Sequence, residues 1–284
     1  MTPDHLLPKI CQRYLDYYSY QVRAQRSVWG MRRILTGLNI YLRKSGIPLD
    51  GISIQQVDQF LALYNTNYSK GTAKSNRSYL RQFLRYLYQN EYIKKDLSYL
   101  VVSPPEFGQL KPPKFLRTHE VQKLFDSLEL STAKDLRTNA AMHLAYYLGL
   151  RPKEISSLTL DDISFRQREI FIHSRKNCSP AHLPLTDGTI KAIIAYIVGG
   201  RPKSDYRALF LQLIPPYKPA NTGDIKRYVK ECMTGNNLAS STYWLRHSFA
   251  QNLLESGASI YEIKEMMGHK SIESTKKYLS VGNK

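Results

Sequence analysis

Cysteine is scarce in this chain. Cys11, Cys178 and Cys232 are the three thiols in 284 residues, far apart and without a Cys-x-x-Cys pair. That count excludes a disulfide framework and a zinc knuckle, and reduced thiols are the expectation. Long apolar runs are missing too. No stretch approaches the ~18 uncharged apolar residues of a membrane helix. The start, Met1 to Lys9, lacks the basic leader and apolar run of a secretory signal. A cytoplasmic protein, away from membranes, is expected. No internal repeat or low-complexity tract is visible, which excludes solenoids and arrays. Acid is the third shortage: 23 Asp and Glu face 41 Lys and Arg, a net charge of +18. An excess of this size points to a polyanion, DNA or RNA, and a membrane surface fits less well because no basic amphipathic anchor stands out. Residues 1–103 hold 15 Lys and Arg against 6 Asp and Glu, and the remaining 181 hold 26 against 17. Both parts are basic, which favours a partner that touches both over a charged tail.

The clearest boundary is Val102 to Lys114, which contains Pro104-Pro105 and Pro112-Pro113. Paired prolines cannot sit inside a helix or a central strand and favour a stiff extended connector. The reading is a domain over 1–103, a linker over 104–113 and a second domain over 114–284. The first domain reads as all helical. Apolar residues recur at helical spacing around Leu7 to Tyr18, and further helices are predicted over Arg26 to Lys44, Ser53 to Tyr64 and Thr72 to Asn90. The last of these carries Lys74, Arg77, Arg81 and Arg85 three or four residues apart, so they form one stripe. A helix face against DNA is the functional reading of that stripe; a solvated face is the alternative. The second domain is predicted as helices near 118–128, 136–148, 154–158, 187–197, 222–233, 240–256, 259–266 and 271–280, with short strands near 163–165, 169–173 and 181–185. The fold class is therefore mainly α with a small antiparallel β-sheet.

Four segments place polar groups where core patterning does not need them. An apolar helix runs through Tyr146 and Tyr147 into Gly149, with Arg151 at the turn and Glu154 after it. A strand-turn-strand hairpin carries Lys176 at its tip, eight positions before Pro184. Ser240 or Ser241 can cap a helix that bears Tyr243 and Arg246 on one face near its positive end, a cradle for a phosphate. His247 reads as a packing residue. Finally Gly268 ends a short helix, His269 stands on the turn, and a last helix carries Tyr278.

Taken together, Gly-Leu-Arg151-x-x-Glu-Ile, Arg246-His247-Ser-Phe-Ala, Met267-Gly268-His269 and the late Tyr278 resemble the tyrosine recombinase (phage integrase) family, in order and spacing from residue 140 to the end. The compact layout resembles the Xer-like or transposon-encoded members. The resemblance implies a helical core-binding domain followed by a catalytic domain. It implies that Tyr278 attacks DNA and holds its 3′-phosphate as a phosphotyrosine ester, with Arg151 and Arg246 bracing the phosphate, His269 bonding it, and Lys176 as general acid for the 5′-hydroxyl. Such chemistry needs a nucleophile, charge stabilisation and a proton source, and no metal or other cofactor. The implied partner is a double-stranded recombination site, bound by a dimer, with two sites joined in a homotetramer. Tyr243 stands where the family most often has His. A phenol can donate to phosphate but accepts a proton poorly near neutrality, so Tyr243 is assigned a phosphate contact, and His269 or water the basic role. Only six residues follow Tyr278, which puts the usual coupling of protomers through a longer tail in doubt.

The implied task is mobile-element integration and excision or co-integrate resolution, with Xer-like dimer resolution as the alternative. A topoisomerase-like enzyme and a DNA-binding relative without catalysis are the competing classes. His143 and His173 lie on apolar stretches and read as structural, and Asp161-Asp162 as a turn rather than a metal pair. The net charge leads to a direct expectation: affinity for duplex DNA falls on the order of 10³-fold between 50 and 200 mM salt, as for a protein neutralising about six or more phosphates. A filter-binding titration over that range checks it, and a flat response contradicts it.

Overall fold

The computed structural model of the chain describes residues 7–21, 25–103, 113–173, 175, 180–238, 241–269 and 271–279. The residues divide into two compact units, Met1–Gly108 and Gln109–Lys284. The Pro-rich segment 104–112 and Lys176 lie outside the described residues.

Among the described residues the first unit has four α-helices: α1 (Lys9–Gln21), α2 (Gln25–Lys44), α3 (Ile54–Asn65) and α4 (Lys70–Gln89). Their starts follow the side chains that cap them. Ser53 accepts from the Gln56 backbone N–H at 3.4 Å while the Gln56 side chain accepts from the Ser53 N–H at 2.7 Å, a reciprocal capping box. The inward stripe of α2 (Met31, Ile34, Leu35, Leu38) packs on that of α4 (Leu80, Phe83, Leu84, Leu87), and all eight are fully buried. Several of the many tyrosines pack as aromatics: Tyr14 sits 5.1 Å from Phe83 and 4.8 Å from Tyr86, ring centre to ring centre. One polar node interrupts this core. Asn76, fully buried on α4, donates to Asn65 Oδ1 at 2.9 Å and accepts from Arg33 at 3.3 Å.

Among the described residues the second unit has eight α-helices and a three-stranded antiparallel sheet. The helices are α5 (Thr118–Asp126), α6 (Ala133–Tyr147), α7 (Pro152–Ser157), α8 (Asp187–Ala195), α9 (Thr222–Gly235), α10 (Thr242–Glu255), α11 (Ile260–Met266) and α12 (Glu273–Leu279). The sheet runs β1 (Ile163–Ser164), β2 (Glu169–Ile172), β3 (Ala181–Pro184), with Ile170 opposite both Ile163 and Leu183. Helix α6 is buried on nearly every side and packs on α8, α9 and α10. It still carries Arg137, whose guanidinium lies 3.4 Å over the Tyr228 ring and donates to the Leu211 carbonyl.

The elements expected from sequence are present with shifted ends. Arg117 stands at the start of α5, where Glu120 bonds back to its N–H at 2.8 Å. Helix α8 closes in a π turn, Tyr196–Gly200, and the last helix begins at Glu273. The side chain of Ser241 makes no cap bond; its carbonyl accepts from Trp244 instead. Among the fully buried side chains, Phe83→Ala is expected to cost about 3–5 kcal/mol. Urea unfolding measures it, and a loss under about 1 kcal/mol contradicts the burial described.

Candidate active site

Helix α6 is stopped by Gly149, which takes φ +61°, a backbone region that costs an L side chain about 1–2 kcal/mol. The turn delivers Arg151 to the head of α7, whose first residue is Pro152. Glu154 then reaches back one turn. Its Oε2 accepts from the Arg151 backbone N–H at 2.7 Å and its Oε1 from Arg151 Nη1 at 2.7 Å. Glu154 is 2 % exposed, and the second arginine, Arg246 on α10, holds Nη1 3.7 Å from its Oε2. One buried carboxylate thus sits between two guanidiniums.

Arg246 is itself 2 % exposed and donates to the carbonyls of Gly149 and Met267. Burial, then the neighbouring Arg151 charge, pulls it down from 12.5 to about 10, so it stays cationic at neutral pH. Arg151 Nη2 donates to the Gly268 carbonyl at 2.8 Å. Both arginines therefore converge on the end of α11. That end is a Schellman turn: His269 N–H bonds to the Lys264 carbonyl and Gly268 N–H to that of Glu265, each at 2.9 Å, with Gly268 at φ +58°. His269 follows the turn, and its Nδ1 is 2.9 Å from the Thr275 hydroxyl of α12.

Tyr278, on α12, is 3 % exposed and packs with Ala250, Ile263 and Met267. Its phenol oxygen lies 2.5 Å from His247 Nδ1. Burial pushes the phenol up to about 12, and the positive charges of Arg246 and Arg151 oppose that rise. Two guanidiniums from separate segments thus act on this one oxygen, a field that favours a developing phenolate.

Not every residue singled out from sequence gathers here. Tyr243 is 39 % exposed, with the Lys226 ammonium 5.6 Å from its ring centre. On α4, Lys74 and Arg85 are exposed, and Arg77 and Arg81 half-buried. Arg81 is bonded within its own unit, donating Nε and Nη2 to the Val101 carbonyl at 3.1 and 2.6 Å, and Arg85 lies 5.6 Å over the Tyr99 ring. His143 is half-buried against Phe125 and Tyr147, and loss of hydration lowers it to about 4. Asp161 pairs with Arg207, and Asp162 with His173, so these acids are tied up within the fold.

Three site residues were missed from sequence. Glu154 was seen only as part of a spacing, although its i, i+3 relation to Arg151 signals a box that reaches back. His247 reads from sequence as a packing residue, yet it meets the Tyr278 phenol. Arg175, which donates to the Met266 carbonyl, carried no local signal.

Residues 114–284 match the model described as the phage integrase family. A putative integrase/recombinase y4rF of Sinorhizobium fredii is 30% identical over 220 residues, covering 75% of this chain and 51% of that protein, so the chain spans about half of that relative's length. Tyrosine recombinase XerD of Staphylococcus saprophyticus is 27% identical over 283 residues, covering 96% of this chain and 94% of that one. Among solved structures, XerH site-specific recombinase in a post-cleavage complex with a palindromic difH substrate has a similar fold, with TM-score 0.76 at 17% identity over 96% of this chain and 92% of that one. The Tn1549 transposon integrase in complex with circular intermediate DNA is similar too, with TM-score 0.72 at 17% identity over 95% and 94% of the two chains.

The raised phenol has a measurable consequence. Its folded value exceeds the unfolded value of 10, so its contribution to stability is fully present below pH 10 and is lost as pH climbs towards 12. In tyrosine-ring ¹³C NMR, the resonance that vanishes in Tyr278→Phe is expected to titrate near pH 12. A midpoint at about 10, the ordinary tyrosine value, contradicts the burial.

Proposed function

The chain belongs to the phage integrase family, and on that basis we propose that it is a site-specific DNA recombinase of the tyrosine type. It cuts and rejoins DNA through a 3′-phosphotyrosine intermediate. The observation that carries the reading is the phenol of Tyr278, buried within the field of Arg151 and Arg246 and bonded to an imidazole.

The chemistry follows from those groups. The Tyr278 oxygen attacks phosphorus, the bond to the 5′-oxygen breaks, and the 3′-phosphate stays on the tyrosine as an ester. The departing oxygen takes a proton and leaves as a 5′-hydroxyl. Attack by another 5′-hydroxyl reverses the steps and releases the tyrosine. The ester conserves the bond energy, so no ATP is needed. Extra negative charge at phosphorus is met by the planar forks of Arg151 and Arg246. A guanidinium carries five N–H donors, so bonds to two carbonyls do not exhaust it. His247 is the group beside the phenol that can receive its proton, a role the sequence reading gave to His269 or water. His269 is assigned a bond to the phosphate, and by family resemblance Lys176 protonates the 5′-oxygen. Tyr243 is assigned a phosphate contact at the edge of the site, with Lys226 beside its ring adding positive charge.

Double-stranded DNA is the partner. The excess of Lys and Arg in both parts of the chain, with Lys74, Arg77 and Arg85 on α4, supports contacts from each. Arg81 is the weaker member of that stripe because a backbone carbonyl already holds it. A dimer on each site and a tetramer on two sites is the proposed assembly, supported by the likeness to recombinases solved with their DNA. Among the described residues no helix is long and apolar enough to cross a membrane, and action on DNA supports a cytoplasmic location. Mobile-element movement or co-integrate resolution is the proposed task, in keeping with the transposon integrase likeness. The nearly full-length match to a XerD protein favours dimer resolution as the second reading.

Footprinting on DNA flanking the gene locates the site, and a nicked duplex of that site then traps the intermediate. The expected result is a covalent adduct on a denaturing gel with the wild type and none with Tyr278→Phe. Arg151→Ala or Arg246→Ala should lower cleavage about 10²-fold or more while DNA binding persists. An equal adduct with Tyr278→Phe defeats the reading.

A further inference from the structure

We infer that Arg175 is a positioning residue of the cleavage site, the anchor that holds the α11 turn from which His269 is presented. The role in cleavage rests on the recombinase reading; the anchoring does not. Arg175 follows β2 and is 6 % exposed, unusual for arginine unless it is paired. Its Nη2 donates to the Met266 carbonyl at 2.6 Å and its Nη1 lies 3.5 Å from that of Glu265. Arg246 donates to Met267 and Arg151 to Gly268. Four successive carbonyls at one helix end thus receive three guanidiniums from three distant segments. The partial negative charge of a helix C-terminus suits such a cluster.

Arg175 differs from the other two. Its guanidinium lies directly over Gly268: a Cβ built there would stand 2.8 Å from Nε and 2.9 Å from Cζ. The group is thus packed against the back of the turn, and its two carbonyl bonds span the last residues of α11. It is also close enough to Arg246 to disfavour that residue's charge. Gly268 is therefore required twice over, by its φ of +58° and by the guanidinium above it. The turn leads straight into His269, whose backbone N–H closes the Schellman bond to Lys264. Removing Arg175 frees the turn and lets His269 drift from the phosphate.

Two measurements test this. In native-state amide exchange, Arg175→Ala is expected to speed exchange at Gly268 and His269 at least about 10-fold, while the like turn that ends α10 at Gly257, where Ala258 N–H bonds to the Leu253 carbonyl at 3.0 Å, stays unchanged. Unchanged exchange at Gly268 and His269 overturns the anchor, and so does equal acceleration at both turns. The second measurement is single-turnover cleavage in a double-mutant cycle with His269→Ala. Arg175→Ala should slow cleavage about 10–100-fold in the wild-type background but under about 3-fold when His269 is already absent, with DNA affinity held in both. Arg175→Lys, which reaches one carbonyl at most, should recover part of the rate. The same loss in both backgrounds, or no loss, overturns the positioning role. Should the alanine protein fail to fold, Arg175→Lys carries the exchange comparison and the cycle under the same criteria. If the wild type gives no adduct, the recombinase reading fails, and the exchange result still decides the anchor.

Discussion

Two buried arginines, Arg175 and Arg246, and the half-buried Arg151 are held largely by carbonyl dipoles, and the candidate active site depends on that arrangement. A buried cation is costly unless its donors are met. Full pairing with carboxylates would meet them but would cancel the positive charge that a phosphate requires. Here Glu154 is the buried acid shared by Arg151 and Arg246, and other guanidinium bonds run to the carbonyls of Gly149 and of Glu265 to Gly268. Backbone carbonyls satisfy hydrogen bonds while carrying only partial charge, so the cluster keeps a net positive field. The two glycines at positive φ make those carbonyls reachable, because each ends a helix sharply and turns its last peptide groups towards the arginines.

The proposed nucleophile is fitted to the same frame. Tyr278 rides on a two-turn helix that packs on α10 and α11, so its position follows from theirs. Burial in a small apolar cluster keeps the phenol neutral, which protects it but also makes it a poor nucleophile. The guanidiniums work in the opposite sense, and His247 offers a place for the proton. Reactivity then depends on a balance between desolvation by Ala250, Ile263 and Met267 and the field of Arg246 and Arg151. His269 belongs to this frame as well, since Thr275 of the tyrosine-bearing helix bonds its ring.

The N-terminal unit is built on different terms. Interlocked leucines and aromatics give it a core that leaves one face of α4 for cations. Within that stripe the fold has already used Arg81 to tie down the chain at Val101, so equal spacing along a helix did not mean equal availability.

The sequence by itself determined the helices, the glycine turns, the sheet and the order of the Arg, His and Tyr boxes. Each is a local matter: apolar residues recurring every three to four positions, a glycine that accepts positive φ, a capping side chain one turn from its target. Element ends moved by a few residues, as at the last helix, which begins at Glu273. The tertiary structure alone decided which polar groups meet. Arg175 and Met266 are 91 residues apart, Arg151 and Gly268 are 117 apart, and His247 and Tyr278 are 31 apart. No periodicity or cap links residues at such separations. Their meeting depends on how α6, α10 and α11 pack, and that is why a histidine taken for packing lies against the phenol, an arginine without any local signal lies at the centre of the cluster, and Tyr243, one turn from Arg246, faces outward.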